Sequence, residues 1–297
     1  MKRTVIILLS VAVVIAIGVF GSGFFKQPTP EENGKIKIAA TIFPLYDIIR
    51  TIGSGRVDSV QILSPGVSPH TFEVTPKVAS GLSGSKVIFK IGYGLDDWVD
   101  GAVQSIAPDA RIVAVSQGIS VRHFSDGSVD PHYWLDLNNA KLIAANIAKE
   151  LSAVDPQGAQ EYNSRLSEYE SSLDEANSYI FRTLSSVKQK NIATFHDAWY
   201  YFARAYGLSV AAAFEPFPGK EPTPQYLADF ISTLKHDGIK VVFTEPQFSS
   251  QSIEQIAQDM DVELVPLNPV DGGADASVDF IELMKDNALR MAQALDR

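Results

Sequence analysis

From residue 35 onward the chain alternates short apolar runs with longer stretches of helical period. Residues 35–41 (KIKIAAT) alternate and then turn apolar, which predicts a strand. Residues 43–53 carry apolar side chains at helical spacing and stop at a glycine. Strands follow at 57–63, 86–92 and 111–116, with helices at 75–85 and 95–106 between them. A helix over 138–151 sets Ala140, Ile143, Ala144, Ile147 and Leu151 on one face. Residues 155–187 differ: they are charged, amphipathic and free of Gly and Pro after Gly158. They predict one helix of about 25 residues, or about 38 Å. The alternation then restarts. Strands are expected at 191–195, 208–214, 240–245 and 262–267, and helices at 198–207, 223–238, 251–260 and 277–295.

Strand and helix in strict alternation imply mostly parallel sheets covered by helices. The expected fold class is therefore α/β: two similar lobes, each a mostly parallel sheet flanked by helices, joined by one long backbone helix. The boundaries expected are an N-terminal lobe over 36–155, the linking helix over 156–187 and a C-terminal lobe over 188–297. Open sheets of this kind bind ligands beyond the carboxyl ends of their strands. With two such lobes, the natural site is the cleft between them.

Ahead of this pattern, residues 1–25 begin with Lys2 and Arg3 and continue as an uncharged stretch from Val5 to Phe25. That run is about the length of a membrane-crossing helix, and it lacks a clear small-x-small cleavage site. An uncleaved anchor or a cleaved signal is expected, with residues 26–35 as a polar tether and the rest of the chain outside the cytoplasm.

Composition narrows the chemistry. The net charge of −10 offers no basic face for nucleic acid. There is no cysteine, which excludes disulfides, thiolate metal ligands, a cysteine nucleophile and an acylated N-terminal cysteine. A metal site in this chain must use nitrogen and oxygen.

The chain has five histidines. His70 lies in a Pro-rich loop after a strand, His132 in the segment DPHYWLD before a helix, and His196 where a strand gives way to a helix. Loops in such places carry function because the scaffold fixes them. Three imidazoles with one oxygen would make a tetrahedral zinc site. His123 reads as a solvated loop residue. His236 sits in a last helical turn, where a cationic side chain complements the helix dipole.

The stretches SPHTFEVTP, DPHYWLD, FHDAWYYFARAYGL, GKEPTPQYLADF and VVFTEPQFS, in this order, resemble the metal-binding proteins of bacterial zinc and manganese ABC importers. These are the cluster A-I, or TroA-like, solute-binding proteins, and the resemblance runs from about Ile36 to the C-terminus. It implies an extracytoplasmic binding protein that is not an enzyme, works as a monomer, and delivers a divalent ion to a membrane permease. It also implies two lobes on a rigid backbone helix, with His70 and His132 as ligands from the first lobe and His196 from the second. A histidine at position 196, where manganese-type members tend to carry a carboxylate, points to Zn2+, with Mn2+ or iron as the alternative. The His-rich acidic loop of many zinc-type members is absent. The family's aspartate in the loop after the last strand falls on Asn268, so the fourth ligand is Asp271, the Asn268 amide oxygen, Glu245 or water. Glu245 reads better as a carboxylate supporting the site than as a ligand. Two other classes are a zinc-dependent hydrolase and an adhesin with a vestigial site. The first lacks any H-E-x-x-H helix or G-x-S-x-G elbow in support.

Overall fold

The computed structural model describes residues 34–249, 251–271 and 278–296. The expected membrane segment and most of the tether lie outside these residues. No described helix is long and apolar enough to cross a membrane.

The N-terminal sheet is built from β1 (Ile36–Ala40), β2 (Val57–Gln61), β3 (Val87–Lys90) and β4 (Arg111–Ala114), in the order β2-β1-β3-β4. Its helices are α1 (Phe43–Ile52), α2 (Pro76–Gly81) and α3 (Trp98–Ile106). The second sheet holds β5 (Asn191–His196), β6 (Ser209–Glu215), β7 (Val241–Thr244) and β8 (Glu263–Pro266), in the order β6-β5-β7-β8. Its helices are α6 (Tyr200–Ala205), α7 (Pro224–His236), α8 (Gln251–Met260) and α9 (Phe280–Leu295). Every named strand pair is parallel. The two sheets thus repeat one topology. His70 follows β2, His132 follows β4, and His196 is the last residue of β5.

Between the sheets run α4 (Leu137–Val154) and the 27-residue α5 (Ala159–Ser185). Asp136 caps α4 by accepting the Asn138 N–H at 2.8 Å. The face of α4 expected from its period is buried: Ala140, Ile143, Ala144, Ile147 and Leu151 are all within the core. That core is continuous with Tyr162, Leu173, Ile180 and Leu184 of α5 and with Phe280, Met284 and Met291 of α9. The closing helix starts at Phe280 rather than 277, because Asp279 caps it by accepting the Glu282 N–H at 2.8 Å. Gly53 does end α1, but its φ is −82°, so left-handed backbone is not what requires glycine there. A Cβ at Gly53 would stand 2.6 Å from the Val57 side chain, so close packing is the reason.

The last helix is tied across to the first lobe. Asp47 on α1 accepts the Phe280 N–H at 3.1 Å, and the Phe43 N–H donates to the Asp271 carbonyl at 2.9 Å. The loop between β8 and α9 is therefore anchored on α1 near both of its ends.

Candidate metal centre

Each site histidine is placed by a short, well-held loop. His70 sits in a single 3-10 turn, where the Ser68 hydroxyl accepts its backbone N–H at 3.3 Å. The Trp98 indole N–H fixes the neighbouring Pro69 carbonyl at 3.2 Å. His132 opens a second such turn whose aromatic residues are fully buried. The Tyr133 hydroxyl donates to the Ile91 carbonyl at 2.9 Å, and the Trp134 indole N–H donates to the Pro269 carbonyl at 2.9 Å. The second bond links the His132 loop to the loop that carries Asp271. His196 is the last residue of β5 and is almost fully buried.

The three side chains converge. His132 Nε2 lies 3.0 Å from His70 Nε2 and 3.3 Å from His196 Nε2. One ligand atom from each of the three lies within 4.8 Å of the others. Nitrogens bound to a single zinc at tetrahedral angles, each about 2.0–2.1 Å from it, stand about 3.3–3.4 Å apart. The observed separations come close to that chord.

The outer ring nitrogens of His132 and His196 are held by acids. His132 Nδ1 stands 2.8 Å from Asp130 Oδ1, which also accepts the His132 backbone N–H at 3.1 Å. His196 Nδ1 is 2.7 Å from Glu245 Oε2. Glu245 is itself held by the Trp199 indole N–H at 3.3 Å and the Gln247 amide at 3.2 Å. An acid at Nδ1 keeps the ring proton on that nitrogen and leaves Nε2 as a lone pair. The Nε2 lone pairs of His132 and His196 therefore face one another at 3.3 Å. Buried lone pairs at that distance repel unless a cation or a proton lies between them.

Protonation is unequal across the trio. Burial, then the charges of His132 and His196, holds His70 well below its ordinary range. Burial, then His196, does the same to His132. At His196 burial also pulls downward, but Glu245 outweighs it with help from Asp271 and Asp197, and the net shift is upward. Burial raises Asp130 to about 6, against the opposing pull of the His132 N–H and Arg122.

Among the fourth-ligand candidates, Asn268 has its side-chain oxygen engaged, accepting the Val270 N–H at 2.8 Å. That turn holds Val270 at φ +69°, a strained conformation for a β-branched residue. The next residue, Asp271, is buried and acts electrostatically on His196, outside the group formed by the three histidines. Glu245 stands behind His196 on the Nδ1 side. His123 is exposed in a loop, and His236 is exposed at the end of α7 against Asp237. Asp130 has no distinguishing mark in the sequence beyond standing directly before Pro131, two residues ahead of His132.

The profile of the ZnuA family, described as zinc-uptake complex component A, periplasmic, matches residues 38–294. The manganese ABC transporter substrate-binding lipoprotein PsaA of Streptococcus mitis is 27% identical over 276 residues, covering 88% of this chain and 89% of that protein. The high-affinity zinc uptake system protein ZnuA of Brucella abortus is 24% identical, covering 78% and 83%. Among solved structures, a crystal structure of ZnuA superposes with TM-score 0.79 at 30% identity, over 88% of this chain and 99% of that one. The binding protein FpvC of Pseudomonas aeruginosa in complex with Mn2+ gives TM-score 0.79 at 26% identity, over 88% and 98%.

Proposed function

Since the chain belongs to the ZnuA family, the periplasmic component A of zinc-uptake complexes, we propose that it captures a divalent metal ion outside the cytoplasm and delivers it to the membrane permease of an ABC importer. It works by binding and release as a monomer, with the ion as cargo. The observation that carries this reading is the meeting of three Nε2 atoms, two of them with acids at the opposite ring nitrogen. His70, His132 and His196 are the proposed ligands, and Asp271 supplies the fourth group. Three nitrogens with one oxygen favour Zn2+, because imidazole suits zinc and oxygen-rich sets suit manganese. Relatives named for manganese make Mn2+ the second ion to test.

The test is metal analysis of the purified chain, followed by competition between zinc and manganese. Zinc should win, and alanine at His70, His132 or His196 should remove tight binding. His196→Glu should move the preference toward manganese. A wild-type chain that binds neither ion, or an alanine series that leaves affinity intact, would end this reading.

A further inference from the structure

A single guanidinium joins the two halves of the proposed metal site. Arg122 lies in the loop after β4, on the N-terminal side. Its Nη1 and Nη2 donate to the two carboxylate oxygens of Asp197 at 2.9 and 2.8 Å, a bidentate fork. Asp197 directly follows His196 in the second lobe. Nη1 also lies 3.3 Å from Asp130 Oδ2, while Oδ1 of the same carboxylate holds His132 Nδ1. The guanidinium rests 4.4 Å from the ring centre of Tyr200 on α6 and 4.8 Å from that of Phe124. The backbone is bridged as well: the Arg122 N–H donates to the Tyr201 hydroxyl at 2.8 Å, and that hydroxyl donates to the Asp130 carbonyl at 2.9 Å.

We propose that Arg122 is a positioning residue of the metal site: it spans Asp130 and Asp197, and so holds His132 and His196 at metal-binding separation across the two lobes before the ion arrives. This rests on the metal-binding reading above. Planarity is what the role demands. One face of the guanidinium stacks on Tyr200 while its edge serves two carboxylates, which an ammonium cannot do. Among the described residues Asp130 is buried and Asp197 is about one-quarter exposed, so the fork is anchored on one side and reachable on the other.

The experiment measures zinc affinity by competition with a chromophoric chelator, zinc release by chelator capture, and thermal midpoints of the metal-free chain. It compares wild type with Arg122→Met, Arg122→Lys, Asp197→Asn and the Met/Asn double variant. Arg122→Met should weaken zinc by about 10–100-fold, the range for losing a partner that orients a metal ligand, chiefly through faster release. Arg122→Lys should recover only part of this. Asp197→Asn breaks the same fork from its solvent side, and should weaken zinc several-fold even if Arg122→Met folds poorly. The double variant should bind no worse than Arg122→Met, because both changes remove one link. A purely structural arginine would lower the thermal midpoint while folded protein kept wild-type affinity. Affinities within two-fold of wild type, or fully additive losses, would overturn the proposal. A wild-type chain that binds neither zinc nor manganese overturns this proposal together with the metal reading; tight wild-type binding with unaffected variants overturns this proposal alone.

Discussion

At the scale of single residues, the three histidines do not share one titration. Three free imidazoles would take up protons together as pH falls below their ordinary value of about 6.5. Here His70 and His132 are held neutral below that range, while His196 is pushed above it by Glu245. The first proton to displace the ion therefore goes to His196, where it lies between facing lone pairs in the metal's place. The sign follows: affinity is full above the raised value of His196 and falls as pH drops through it. The logarithm of affinity should fall with a slope near one per pH unit as pH first drops through that raised value, steepening only at lower pH. Zinc titrations from about pH 8 to 5 measure the slope, and a slope near three from the outset would contradict the assignment. Glu245→Gln removes the upward pull, so the decline should begin at lower pH while affinity at pH 8 drops by about ten-fold or more.

At the scale of elements, nearly every strand and helix is legible in the sequence. Apolar period, glycine stops and capping residues agree along the chain, and each lobe buries what its pattern says it must. The candidate histidines stand out in the sequence by their places in Pro-rich or element-joining loops, and the fold brings the three together. Of their supports only Glu245 is legible. Asp130 and Arg122 sit in a polar loop, where their types match any solvated residue, and only folding decides that Arg122 meets both Asp130 and Asp197. Asn268 occupies the expected acid's position but spends its oxygen on the Val270 turn. The elbow between α4 and α5 is another tertiary matter. Asp155 pairs with Arg56 at 2.6 Å and accepts from the Tyr162 hydroxyl at 2.8 Å. Arg56 chiefly, against the opposing effect of burial, brings Asp155 down to about 2. Its contribution to stability is thus present above the ordinary carboxylate value of about 3.9 and is lost as pH falls toward 2. Gly158 lies against all three partners: an added Cβ would stand 2.4 Å from Arg56 Nε and 2.5 Å from Asp155 Oδ2. Gly158→Ala should destabilise by about 1–3 kcal/mol, the usual effect of overpacking. Urea unfolding measures it, and a loss under about 0.5 kcal/mol would show that the elbow gives way easily.

At the scale of the whole molecule, the site belongs to neither lobe alone. Two histidines come from the first and one from the second, and one core runs through α1, α4, α5 and α9. A ligand bound across such a junction stabilises both parts together. With free zinc at about 1,000 times its dissociation constant, the gain is about 4.1 kcal/mol. Calorimetry should show one unfolding transition that moves upward as a unit with zinc, and His132→Ala should abolish the shift. Two transitions, with only one responding to the ion, would mean that the lobes unfold separately.

The staple between α1 and the start of α9 also bears on the order in which the molecule is made. Asp47 and Phe43 are synthesised early, while Phe280 and Asp271, which they hold, appear more than two hundred residues later. Phe280, Met284 and Met291 complete a core that the first lobe has already begun to form. A nascent chain can close the β2-β1-β3-β4 sheet soon after Ala114 has emerged, yet the face of α1 meant for α9 stays bare until Phe280 and the helix it opens have been made. His70 and His132 are made well before the strand that presents His196. The growing chain thus carries His70 and His132 for some sixty residues before β5 brings His196 to them.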